Sequence, residues 1–249
     1  VKGIWCVPKY SNPQGIVYSD ETVRRFASLK PAAADFRIVW DNAYVVHHLY
    51  EDRQAEILNI LDECEKAGNP DIVFQFCSTS KVSFPGAGIA AISASEANIA
   101  DIKNRLTIQT IGHDKINQLR HVAFFKNIDG IRAHMMKQAD IIRPKFELVE
   151  NLLNEEIAPR GIGKWVSPLG GYFFGFEALD GCAKQIVAKC KEAGVVLTGA
   201  GSPYPYKNDP KDSVIRIAPT YPSKADLEEA AKVFVTVVRM VSVDKLLEK

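Results

Sequence analysis

Ile72-Val73-Phe74-Gln75-Phe76-Cys77-Ser78-Thr79-Ser80-Lys81 starts as an apolar run and ends in three hydroxyls and an amine. A short apolar stretch rich in aromatic and β-branched residues reads as a buried strand. Outward toward the N-terminus, Phe36–Trp40 and Ile4–Val7 repeat the pattern. Their polar ends are Asp41-Asn42-Ala43-Tyr44 and Ser11-Asn12-Pro13-Gln14-Gly15. Ser19-Asp20-Glu21 opens a helix between the first two strands, a capping residue followed by acids suited to a helix N-terminus. Ile57, Leu58 and Leu61 share one helical face between the second and third, and Gly68-Asn69-Pro70 stops that helix. Strands alternating with helices predict βαβ units and a parallel sheet. Right-handed crossovers then bring all three strand C-termini to one edge, where open α/β sheets bind ligands.

After Ile92 the pattern turns helical. Ser93 and Glu96 fit a capping box, and Ile99, Ile102 and Leu106 recur on one face. Residues 129–156 read as a long helix, kinked at Pro144, with Ile131, Met135, Ile142, Phe146, Val149 and Leu153 inward. From Trp165 onward, short strands (Gly171–Phe176, Val195–Thr198, Val214–Ala218) interleave with helices, the last of them capped by Ser223 and Asp226. A domain boundary is expected near Arg143–Glu150. Residues 1–143 then form the rear part of a large α/β domain, and 144–249 a small α+β domain.

Composition narrows the function classes. A chain of 249 residues supports one or two cores. A net charge of +1 without a Lys/Arg run argues against a nucleic-acid surface. Cys6, Cys64, Cys77, Cys182 and Cys190 are an odd set with no CxxC pair, which points to reduced thiols in the cytoplasm and not to disulfides or a metal framework. No apolar run is long enough to span a membrane. The chain opens directly on the strand-like Val1–Val7 without an initiator Met, so it reads as the middle of a domain, from a truncated gene product or a partial sequence.

The three strand ends deliver an amide, a carboxylate, a phenol, hydroxyls and an amine to one crevice. A pyridine aldehyde phosphate needs these partners. An amine forms the Schiff base, a carboxylate keeps the ring nitrogen protonated, donors tune the phenolate oxygen, and hydroxyls take part of the phosphate. Four segments, Tyr10–Gly15, Asp41–Tyr44, Ser78–Lys81 and Arg216-Ile217-Ala218-Pro219-Thr220, resemble in order and spacing the motifs of class I/II aminotransferases, which are fold-type I pyridoxal-phosphate (PLP) enzymes. Gly170-Gly171-Tyr172-Phe173 and the long interdomain helix extend the resemblance over essentially the whole chain. The wording of Gln109–Gly112, Asn117–His121 and Arg216–Thr220 is most similar to a divergent subgroup of aspartate aminotransferases.

The resemblance implies a PLP cofactor and transamination between an amino acid, aspartate or similar, and an α-keto acid, by a homodimer when full length. It implies that Lys81 carries the cofactor and that Asp41 pairs with the pyridinium nitrogen. Asn12 and Tyr44 would hydrogen-bond the phenolic oxygen, Ser78 and Ser80 the phosphate, and Arg216 the substrate α-carboxylate. Two departures stand out. Many members place an arginine for the phosphate where this chain has Gly88. The family's first half, which normally supplies a glycine-rich phosphate turn and a ring stacked on the pyridine, is absent from this sequence.

Simpler readings stand beside these. Asn-Pro-Gln-Gly is a turn signal, Asp41 could cap a following segment, and Arg216 could be an outward strand residue. His47-His48 is a poor metal site because adjacent residues rarely share one ion. Gly86-Ala87-Gly88-Ile89-Ala90-Ala91 formally fits a dinucleotide fingerprint but is separated from its strand and lacks the later acid. His113, Lys115 and Arg120 could recognise a second substrate carboxylate, though helix-surface charge explains them as well. A PLP-dependent lyase or decarboxylase on the same scaffold, a PLP-binding regulatory domain, or an inert fragment are the rival functions.

Overall fold

The computed structural model describes residues 2–248. It divides into two compact units, Val1–Lys9, Val17–His47 and Ala55–Met136 in the first, and Tyr10–Ile16, His48–Gln54 and Lys137–Lys249 in the second. The division falls about two helical turns before the expected boundary at Arg143. It also assigns two loop segments, after the first strand and after Tyr44, to the second unit.

The first unit is built on β1 (Gly3–Cys6), β2 (Arg37–Asp41), β3 (Val73–Ser78) and β4 (Ala90–Ser93), in that order across the sheet. Strands β1, β2 and β3 are parallel, with Cys6 opposite Trp40 and Asp41 opposite Phe76, so their C-terminal ends share an edge. Helix α1 (Asp20–Ala27) starts where expected, Ser19 accepting from the Thr22 amide, and crosses from β1 to β2. Helix α2 (Ile60–Lys66) begins later than its apolar face suggested, at the Asn59 cap. Ile57 and Leu58 lie before it, yet still pack on the core of Val23, Ile38, Trp40, Ile60 and Val73. Tertiary burial, not helical periodicity, holds those two residues.

The fourth strand was not foreseen. β4 runs antiparallel to β3, pairing Ala90 with Ser78 and Ser93 with Gln75. Ser93 therefore belongs to a strand, and the expected Ser93–Glu96 capping box is corrected. Ser95 caps α3 (Glu96–Gln109), accepting from the Asn98 amide, because the β4 ladder has already claimed Ser93. The expected face of Ile99, Ile102 and Leu106 is half-buried. α4 (Lys115–Phe125) follows, capped by Asp114.

α5 (Ile128–Glu156) is continuous through Pro144. Its residues Phe146, Val149 and Leu153 belong to the core of the second unit. That core is sealed by β5 (Gly163–Trp165), β6 (Phe174–Ala178), α6 (Ala183–Glu192), β7 (Val214–Ile217) and α7 (Lys224–Leu247). β6 is the central strand of an antiparallel sheet ordered β5-β6-β7. Phe174 and Phe176 alternate inward from it, fully buried, as a half-buried strand requires. Val195–Thr198, expected as a strand, has no ladder among the described residues. Val195 and Leu197 instead pack their side chains on the core as an extended loop. Ser223 caps α7 as expected, accepting from the Asp226 amide. No helix among the described residues is long and apolar enough to cross a membrane.

Candidate active site

In the first unit the sequence-predicted residues of β2 and β3 meet at the sheet's C-terminal edge. Asp41 is the last residue of β2, half-buried, and the Trp5 indole donates to its Oδ2 at 3.3 Å. Asn42 continues onto the neighbouring strand, its amide donating to the Phe76 carbonyl at 2.8 Å. This places Tyr44 inside the fold, 4% exposed. β3 ends at Ser78, and a tight turn carries Thr79, Ser80 and Lys81. The Lys81 Nζ stands 5.1 Å from the centre of the Tyr44 ring. Ser78 is half-buried, while Ser80 and Lys81 are exposed. An amine, a phenol, a carboxylate and two hydroxyls are thus presented along one edge by two adjacent parallel strands.

Gly88 has a geometric cause. A Cβ there would lie 2.8 Å from the Ser80 Oγ and 2.9 Å from the Ser80 amide nitrogen, both too close. The backbone after β3 folds onto residue 88, and only glycine admits that approach. The dinucleotide reading of Gly86–Ala91 has no helix to serve it, since the segment leads into β4.

Asn12 and Arg216 meet in the second unit. Arg216 sits on β7 opposite Gly175 of β6. Gly175 has no side chain because the Gln14 backbone approaches it; a Cβ there would lie 2.9 Å from the Gln14 Cα. That approach brings the Asn12 Oδ1 to 3.1 Å from Nη1 of Arg216. Nη2 donates to Thr198 Oγ1 at 3.1 Å, and the guanidinium lies 4.6 Å over the Phe173 ring. The Arg216 Nε is buried with no hydrogen-bond partner among the described residues. Arginine can only donate, so it fixes the Asn12 amide with oxygen inward and leaves the amide N–H groups as donors. Thr198 was not singled out from sequence, and its only signal would have been proximity to a strand eighteen residues on.

The two adjacent histidines part company. His47 is buried and its Nε2 lies 3.1 Å from the Lys81 carbonyl, whereas His48 Nδ1 lies 2.7 Å from the Tyr10 hydroxyl. Burial, partly offset by the Lys81 carbonyl, pushes the His47 pKa down to about 4. No cluster of three metal-binding side chains occurs among the described residues. His113, Lys115 and Arg120 are exposed at and near the start of α4.

The first unit thus bears an amine at a sheet edge, and the second bears a strand arginine whose hydrogen-bond partners among the described residues are neutral. The chain belongs to the aspartate amino-transferase family, which it matches over residues 1–249. It is 41% identical over 230 residues to an aspartate aminotransferase of Corynebacterium glutamicum, covering 92% of this chain and 53% of that protein. A Mycolicibacterium smegmatis relative, whose name also places it among aminotransferases, is 44% identical over 247 residues, covering 99% and 58%. The solved aspartate transaminase of Corynebacterium glutamicum superposes with a TM-score of 0.95 at 39% identity, covering 98% of this chain and 57% of that one. The chain therefore spans between half and three-fifths of the length of these relatives.

Proposed function

We propose that the protein is a PLP-dependent aminotransferase that moves an amino group between an amino acid, aspartate or a close analogue, and an α-keto acid. The observation that carries this reading is the Lys81 amine held over Tyr44 at a sheet edge that also ends in Asp41 and Ser78. The donor set suits PLP. The amine can bond its aldehyde carbon, a carboxylate its ring nitrogen, a phenol its phenolic oxygen and hydroxyls its phosphate. When bound, PLP supplies an electron sink for the charge that develops on the substrate carbon.

The chain's own residues do the rest. Asp41 accepts from the ring nitrogen and keeps it cationic. Tyr44 and the outward N–H groups of Asn12 donate to the phenolic oxygen. Ser78 and Ser80 donate to the phosphate. Arg216, held among the described residues by the neutral acceptors Asn12 and Thr198, keeps its charge available for the substrate α-carboxylate. Lys81 would hold the cofactor through its amine and, once that amine is free, would serve as the base that takes the proton from the substrate Cα. A cytoplasmic homodimer goes with this reading, and light scattering on the intact protein tests its assembly.

Borohydride reduction of the PLP-loaded protein is expected to leave a phosphopyridoxyl mass on Lys81 by peptide mass spectrometry. Recovery of the label on Lys9 or any other lysine would refute the assignment.

A further inference from the structure

Three of the chain's five histidines surround the turn that carries Lys81. The turn is short. The Thr79 carbonyl accepts from the Val82 and Ser83 amides at 2.9 and 2.8 Å, and the Thr79 amide donates to Ile89 at 2.9 Å. The Lys81 and Val82 carbonyls are each taken by a ring: His47 Nε2 at 3.1 Å and His134 Nε2 at 2.9 Å. A carbonyl only accepts, so both rings carry a proton on Nε2.

His121 grips the same turn from α4. Its Nδ1 donates to the Asn117 carbonyl at 2.9 Å, which leaves the Nε2 lone pair 2.9 Å from both Thr79 Oγ1 and Ser83 Oγ. One helical turn earlier, the Asn117 amide donates to the Ala87 and Gly88 carbonyls at 2.9 and 3.3 Å. α4 therefore holds both limbs of the loop that connects β3 to β4. The rings are themselves wedged: His47 edge-on to Tyr44 at 5.5 Å, and His134 edge-on to Phe124 and Phe125 at 5.4 Å each. Beneath them lies a small core of Val82, Phe125 and Met135. Buried histidines often just satisfy a core. Here, however, all three turn Nε2 onto five consecutive residues, Thr79–Ser83, with Lys81 in the middle.

We propose that His121, together with His47 and His134, is a positioning residue for Lys81, fixing the Thr79–Ser83 backbone so that the amine is held over Tyr44. The inference rests on the reading that Lys81 carries the cofactor. A misplacement of about 1 Å can cost on the order of a hundredfold in a reaction that depends on orientation. The clamp should therefore govern how fast the amine captures an aldehyde.

The test uses the intact protein stripped of cofactor and then mixed with PLP. Borohydride quenching at timed intervals, with peptide mass spectrometry, gives the rate of linkage to Lys81. Acetylation of Lys81 in the cofactor-free protein reports its freedom independently of any turnover. His121→Leu should slow PLP linkage by about tenfold or more and speed Lys81 acetylation, because the amine samples more space. His121→Gln, which restores an acceptor at similar reach, should recover most of the rate. If His121→Leu does not fold, His47→Phe keeps an aromatic ring and removes the bond to the Lys81 carbonyl, and should show the same two changes. A folded variant that links PLP at the wild-type rate overturns the proposal while leaving Lys81 as the cofactor lysine. Wild-type protein that never links PLP at Lys81 overturns the functional reading and this inference with it.

Discussion

Replacing Arg216 with alanine tests the substrate side of the proposed chemistry most sharply. Of the five N–H groups of the guanidinium, the structure commits one on Nη1 to Asn12 and one on Nη2 to Thr198. The Nε is buried without a hydrogen-bond partner among the described residues, and the second hydrogen on each Nη is not committed to Asn12 or Thr198. The two Nη groups form a fork that matches a carboxylate with two parallel bonds. Removing one partner of such a desolvated ion pair costs roughly 2–5 kcal/mol. That corresponds to a fall in kcat/KM for the amino acid of about thirty- to several-thousand-fold. Arg216→Lys keeps the charge, loses the fork, and should recover only part of that. Thr198→Val cuts one tether and leaves the charge in place. A hydrogen bond to a charged group is worth about 1.5–3 kcal/mol, so this variant should lose about ten- to a hundredfold. Steady-state kinetics with a saturating keto acid reads all three, with cofactor absorbance as the control. Wild-type kcat/KM in Arg216→Ala, or loss of cofactor in place of substrate affinity, would show that the guanidinium is structural.

Three further outcomes are expected. Asp41→Asn should bind PLP but turn over on the order of a hundredfold more slowly, since a neutral ring is a poorer electron sink; undiminished kcat in the loaded variant would remove Asp41 from the site. Asp209, buried, accepts from the amides of Lys211, Ser213 and Val214 at 2.8–3.0 Å and so organises the entry to β7. Asp209→Ala strands those donors and should cost about 3 kcal/mol in denaturant unfolding, and an unchanged midpoint would refute that role. His47, with its pKa pushed from 6.5 down to about 4 by burial, is neutral in the fold while an unfolded chain takes up a proton below pH 6.5. Its contribution is therefore intact above pH 6.5 and lost as pH falls toward 4, by up to about 3 kcal/mol, and His47→Phe should flatten that part of the stability profile.

The parallel core was legible because its cause is local. Apolar runs of strand length with polar ends at 41, 78 and 11 force a βαβ reading, and Ser19 and Ser223 cap helices by short-range hydrogen bonds. What the sequence hid depends on distant partners. β4 has only Ala90-Ala91-Ile92-Ser93, too brief and too small in side chain to declare itself, and it forms because β3 offers a free edge. Conversely, Val195-Val196-Leu197-Thr198 has strong strand propensity but finds no ladder among the described residues, and propensity yields to context. The candidate residues Asp41 and Ser78 end strands, and Lys81 follows three residues after β3, so their order could be read. Thr198 and the histidines that grip the Lys81 turn lie between 18 and 52 residues from what they touch, and no spacing rule reaches that far.

Gly88 shows how the two levels bear on each other. As sequence it is only a missing arginine. In the fold it is the point where the Ser80 backbone lies against residue 88, so close that a methyl group would lie 2.9 Å from the Ser80 amide nitrogen. That contact is held from both sides. The Thr79 hydroxyl accepts from the Ile89 amide at 2.9 Å, and Asn117 holds the Gly88 carbonyl at 3.3 Å. A side chain at 88 and a serine turn in this conformation therefore exclude one another. Within the proposed function, the chain has taken the turn, which presents the Ser78 and Ser80 hydroxyls beside Lys81, and given up a charge at 88. The price falls on the phosphate, whose charge must be balanced by cations other than residue 88. Hydroxyls at a strand end orient an anion well but neutralise none of it.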